Sequence, residues 1–180
     1  MAAASSAKDG SGDISLLEYL DLSQINCLNE VDHSDLKSII SSRSRNTTSA
    51  MLLSDVDEQL LLNIPFNQAV RVRSIVIQSN DRLKGPKVIK LFVNRPALGF
   101  EDVQHAEAAQ ILTLSEQDIK NGNRLLLRFV RFQSVNSLHI FVESNQGAGE
   151  EKQTQIDAVD ILGIPVEATK SLSGLKELDG

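Results

Sequence analysis

The sequence predicts an all-β chain, a β-sandwich or jelly roll with short peripheral helices. Seven or eight short apolar runs, most of them alternating with polar residues, fill the chain from residue 58 to 162. Clusters of Gly, Asn, Pro and Asp separate these runs, as at Asn80-Asp81, Gly85-Pro86, Asn94 to Pro96, Asn121 to Asn123 and Asn145 to Gly149. The helical patterns are short and lie outside the runs, which disfavours a βαβ architecture.

Residues 1–12 are small and polar and read as a disordered leader, because they bury too little surface to offset ordering. In 14–22, Leu16, Leu17 and Leu20 fall at helical spacing, and Leu36, Ile39 and Ile40 do the same in 34–41 behind Ser34. The stretch 41–49 has no large apolar residue and reads as a mobile loop. Leu60, Leu62, Ile64 and Phe66 then alternate onto one strand face. In 69–78, Val70 and Val72 alternate with Arg71 and Arg73 before Ile75 and Ile77 take the opposite parity, which predicts a bulge or a strand leaving a one-sided environment. Further strands are expected over 87–94, 110–114, 124–132, 136–144 and 153–162. One helical turn interrupts them at Ser115 to Lys120, where Ser115 and Asp118 have capping-box spacing. The sandwich should cover 13–165, followed by a tail over 166–180.

The 180 residues carry a formal net charge of −6, which argues against a mainly nucleic-acid-binding role. The charge is segregated: −6 over residues 1–69, +5 over 70–131 and −5 over 132–180. One cysteine, Cys27, leaves no internal disulfide and fits a reducing compartment. No apolar run reaches the length of a membrane helix, and no targeting segment is visible, so a cytosolic and nuclear location is expected.

Catalytic patterns are absent: there is no H-E-x-x-H, G-x-S-x-G or phosphate-cradling glycine loop, and no cofactor is implied. His33 and His105 lie in polar stretches and read as solvated, while His139 reads as an exposed or hydrogen-bonded strand residue. Cys27 reads as a small, half-buried apolar residue. Asp55, Asp57 and Glu58 form an acidic corner that offers oxygens to Ca²⁺ or simply starts a solvated strand. Arg71, Arg73, Lys87, Lys90, Arg124, Arg128 and Arg131 alternate with apolar residues, either as a solvated face or as a basic patch for an acidic protein surface. In the tail, Leu172, Leu175 and Leu178 recur every third residue, giving a short amphipathic turn or a flexible end.

Several stretches together resemble the PITH domain family: CLNE at 27–30, LLSDVDEQLLLNIPFNQAVRVRSI at 52–75, GPKVIKLFVN at 85–94, VRFQSVNSLHIFVESNQG at 130–147 and ILGIPVEAT at 161–169. The likeness covers about residues 13–176 in unbroken order. It implies a galactose-binding-like jelly roll and association with the regulatory particle of the 26S proteasome. With no Trp-Cys-x-x-Cys element, the chain is similar to the free-standing form of the domain, and the resemblance transfers no catalytic residue. One Tyr and no Trp speak against glycan binding, which uses aromatic platforms. The sequence thus points to a non-enzymatic interaction module. Its contacts are expected at Arg71, Arg73, Arg128 and Arg131 or along Leu172, Leu175 and Leu178. A small-ligand or Ca²⁺-binding jelly roll is the alternative, and the sequence leaves the oligomeric state open.

Overall fold

The computed structural model describes residues 12–166. All but Gly12 of the expected leader, and all but Val166 of the tail, therefore lie outside the described residues, with Leu172, Leu175 and Leu178 among them.

One strand organises the fold. The two runs read separately over 58–66 and 69–78 are a single 19-residue strand, β4 (Leu60–Gln78). Along its first half, residues 60–65 pair with β8 (Val135–Asn145) and residues 61–63 with β2 (Asn26–Leu28). Along its second half it pairs with β10 (Ala158–Pro165) and with the two-residue β7 (Leu125–Leu126). The pairing with β8 shifts register between Pro65 and Val70, where the chain passes from one layer of the sandwich to the other. Pro65 suits that point, since proline has no amide to give the ladder.

The first layer continues from β8 to β5 (Pro86–Val93) and β6 (Gln110–Thr113), and the second ends on β1 (Ile14–Ser15) beside β10. A separate two-stranded ribbon joins β3 (Leu52–Leu53) to β9 (Gln155–Ile156). Both layers send alternate residues into one core: Leu60, Leu62, Ile64, Ile89, Leu91, Ile140 and Val142 from the first, Ile75, Ile77, Val159 and Ile161 from the second. This is a β-sandwich jelly roll with short peripheral helices, as the sequence pattern predicts.

The parity switch is a bulge. Ser74 faces Leu162 and Val72 faces Gly163, so Arg73 has no opposite residue on β10. Val70 and Val72 fill the core on one side of this point and Ile75 and Ile77 on the other.

The helices are α1 (Leu36–Ile40), α2 (Phe100–His105) and α3 (Glu116–Asn121), with 3-10 turns at Leu16–Tyr19 and Phe129–Phe132. α3 carries the expected box: Ser115 Oγ accepts from the Asp118 amide at 3.0 Å, and Asp118 Oδ2 accepts from the Ser115 amide at 3.1 Å. Gly122 then ends it in the left-handed region at φ 66°. α2 covers the outer face of the first layer, burying Leu98 and Val103 against Leu61, Phe92 and Phe141, with Phe100 edge-on to Phe141 at 6.1 Å.

Three local expectations are corrected. The helix over 14–22 is a two-residue strand followed by one 3-10 turn, because Ile14 and Ser15 pair with Gly163 and Leu162. The loop 41–49 is tied down at several points. Arg43 Nη1 donates to the carbonyls of Glu18 and Leu20, Arg45 binds Asp160, and Asn46 Nδ2 donates to the carbonyls of Ala50 and Asp157. The strand over 124–132 stops at Leu126. Leu127 still donates to the Arg73 carbonyl at 2.9 Å, and β8 resumes with Val135 opposite Val70 on the same edge of β4. Residues 128–134 have only Arg71 and Val72 beside them, so they cannot lie extended and loop outward through the 3-10 turn.

Candidate functional site

The structure gathers four of the expected contact residues at this loop. Arg71 and Arg73 lie two apart on β4, on the face opposite Val70 and Val72, and Arg128 and Arg131 lie in the loop beside them. Arg73 is engaged with Asp13 at 3.2 Å. Arg128 and Arg131 are exposed, and among the described residues no ion pair engages them or Arg71. Lys87 and Lys90 lie elsewhere, on β5, where Lys90 meets Glu143 at 3.6 Å.

The same loop exposes three large apolar side chains: Leu126 at 75%, Phe129 at 55% and Val130 at 75%. The unbroken run LLLRFVRF hides them in the sequence, since every apolar residue in it reads as core. Only Phe132 is fully buried, with Leu125 and Leu127 partly so; these three anchor the loop.

A second region surrounds His139. Its ring is buried, with 3% of the residue exposed. The Arg95 amide donates to Nε2 at 3.3 Å, so Nε2 carries the lone pair and Nδ1 the proton. Nδ1 therefore donates to Asn63 Oδ1 at 2.7 Å, and Asn63 Nδ2 donates in turn to Asn26 Oδ1 at 2.9 Å. Ser137 Oγ stands 2.9 Å from Nε2. Asn26, Asn63 and His139 lie side by side on β2, β4 and β8. They line a cleft of about 460 Å³ together with Gln24, Asn136 and Ser137, walled by Pro65 and Pro96.

Ser137, His139 and Asn63 have the connectivity of a nucleophile, base and orienting group, which nothing in the sequence marked except i, i+2 spacing on one strand face. The electrostatics oppose that use. Burial, with the Arg95 cation adding, lowers the His139 pKa to about 4, so the ring is a weak base at neutral pH. Asn63, being neutral, offers no charge to stabilise an imidazolium. What the arrangement does well is hold a neutral imidazole and a row of amides rigidly at the floor of an uncharged cleft.

The acidic corner is structural where it is engaged. Asp57 Oδ1 accepts from Asn29 Nδ2 and from the Gln59 amide, each at 3.0 Å, and Glu58 Oε1 accepts from the Asn145 amide at 2.8 Å. Asp55 is exposed. Among the described residues no group of three His, Cys, Asp or Glu side chains is placed to hold a metal ion. His33 and His105 are exposed. Cys27 is buried in the core, and burial, with Glu30 adding, pushes its thiol pKa well up.

The profile of the PITH domain matches residues 6–179. This chain belongs to the PITH domain family. It is 41% identical over 169 residues to Thioredoxin-like protein 1 of Schizosaccharomyces pombe, covering 91% of this chain and 56% of that protein. It is 32% identical to the PITH domain-containing protein CG6153 of Drosophila melanogaster, covering 87% and 72%. For the human PITH domain-containing protein 1 the identity is 31%, covering 74% and 63%. The PITH fold is similar to the family 32 CBM from C. perfringens NanJ, solved in complex with galactose. That match has a TM-score of 0.57 at 11% identity, over 83% of this chain and 98% of the other. So low an identity speaks for the fold alone.

Proposed function

We propose that this PITH domain is a non-enzymatic protein-interaction module that associates with the regulatory particle of the 26S proteasome, in the cytosol and nucleus. Family membership over residues 6–179 carries the reading. Its electrostatic support is the cluster of Arg71, Arg73, Arg128 and Arg131, which gives an otherwise acidic chain a basic face for an acidic protein surface. Immobilised domain, incubated with purified proteasome at physiological salt, should retain regulatory-particle subunits above the level of an unrelated acidic domain; equal retention removes the reading. Charge reversal of the arginines against deletion of 166–180, which removes Leu172, Leu175 and Leu178, separates the two routes of contact.

A second reading, an uncharged small ligand, is favoured by the His139 cleft. Its lining side chains are neutral and rich in amides, so it suits a hydroxyl-bearing or amide-bearing molecule rather than an ion. Titration with galactose while following the His139 ring signals by NMR tests it; unmoved signals at millimolar sugar count against that ligand.

A further inference from the structure

We propose that Leu126, Phe129 and Val130, rimmed by Arg71, Arg128 and Arg131, form the docking face for an apolar protein segment that carries carboxylates at its margins. The inference rests on the interaction-module reading and adds to it where the energy of contact resides and what chemistry the partner presents.

Exposure is the first observation. Of seven exposed large apolar residues among the described ones, three fall within five positions of one another in this loop. Clustered apolar exposure on a folded surface marks a contact site, whereas scattered single residues are ordinary. The second observation is that the loop is held. Leu127 and Arg128 donate to the Arg73 carbonyl and to Gln110 Oε1, at 2.9 and 2.7 Å, and Phe132 is sunk into the core. A partner then meets a surface already shaped, with little ordering left to oppose binding.

The third observation is the composition of the rim. Leu126 stands opposite Ser74, next along β4 from Arg73, and Arg71 lies beside the outward loop. An apolar centre with arginines at its margin matches the apolar core, polar rim and arginine enrichment of protein interfaces. No ion pair among the described residues engages Arg71, Arg128 or Arg131, and Arg71 Nε has no hydrogen-bond acceptor among them. Carboxylates on a partner would complement these cations. A second copy of the chain is a poor occupant, because a two-fold contact through this patch brings arginines against arginines.

Radical footprinting of the full chain, alone and with purified 26S proteasome, tests the face. Phe129 and Val130 should react freely in the chain alone and become protected on binding. The exposed double variant F129S/V130S should keep its melting temperature and bind about tenfold or more weakly. R128E/R131E should bind mainly more slowly, with reduced salt dependence. Binding with protection elsewhere, or unchanged binding of both variants, overturns the docking face and leaves the proposed function standing. Failure of the wild-type chain to bind removes both. Protection of Phe129 and Val130 in the free chain overturns the inference as well: relief on deleting 167–180 assigns the face to the tail, and relief on dilution assigns it to a second copy.

Discussion

Gly163 sits so close to Arg71 that a Cβ built on it would land on the Arg71 carbonyl oxygen. The close approach is part of the bulge that leaves Arg73 unopposed and keeps both arginines on the outer face while Val70, Val72, Ile75 and Ile77 all reach the core. Gly163→Ala must force β10 away from β4. The expected cost is about 1–3 kcal/mol, the range for overpacking a well-filled site, read as a lower midpoint in urea unfolding. An unchanged midpoint would show that the strands separate freely there.

Asp160 is buried, and its carboxylate gathers four donors. Arg45 binds Oδ2 through Nη2 at 3.0 Å and Nε at 3.2 Å, while Oδ1 accepts from Ser15 Oγ at 2.7 Å and from the Ile161 amide at 2.9 Å. This carboxylate pins the 41–49 loop and β1 onto β10. Arg45→Ala leaves the charge without its cation at a cost of about 2–3 kcal/mol, moderated because Arg45 is itself partly exposed. Hydrogen exchange should also rise in the 41–49 backbone. If exchange there stays as in wild type, the arginine does not hold the loop.

The sandwich was legible because its evidence is local: alternation places Leu60, Leu62 and Ile64 on one face, and Ser115 with Asp118 caps α3 whatever surrounds them. Even the bulge shows in sequence, as the change of parity between Val72 and Ile75. The outward loop does not. Whether LLLRFVRF continues as a strand depends on how much of the β4 edge remains beside it, and that is fixed by Val135 pairing with Val70. The mobile-loop expectation for 41–49 failed for a related reason, since Arg45 finds its carboxylate 115 residues away. The His139 cleft is likewise assembled from three strands, and its amides carry no spacing that a linear reading could detect.

Cys27 lies in the core with its thiol pKa raised by burial and by Glu30. The thiolate is the reactive species, so the folded protein offers neither access nor the reactive form. At pH 8, Ellman's reagent should modify the native thiol slower than the denatured one by on the order of 10²-fold or more. Equal rates would mean that β2 opens readily.

His139 gives the fold a pH dependence of definite sign. Its folded pKa is about 4, below the ordinary 6.5, because burial and then Arg95 disfavour the imidazolium. As pH falls the unfolded chain takes the proton first, so this contribution to stability is full above pH 6.5. It declines between 6.5 and 4 by up to about 1.4 kcal/mol per pH unit and is flat below 4. Glu30 acts with the opposite sign: its folded pKa is raised, chiefly by burial, so its contribution is present at low pH and lost as pH rises. Comparing wild type with His139→Gln cancels the Glu30 background. Urea unfolding from pH 7 to 4.5 should show a steeper loss for wild type than for the variant. Parallel curves would mean that the ring accepts its proton inside the fold, which the Arg95 amide opposes by occupying the Nε2 lone pair with a donor.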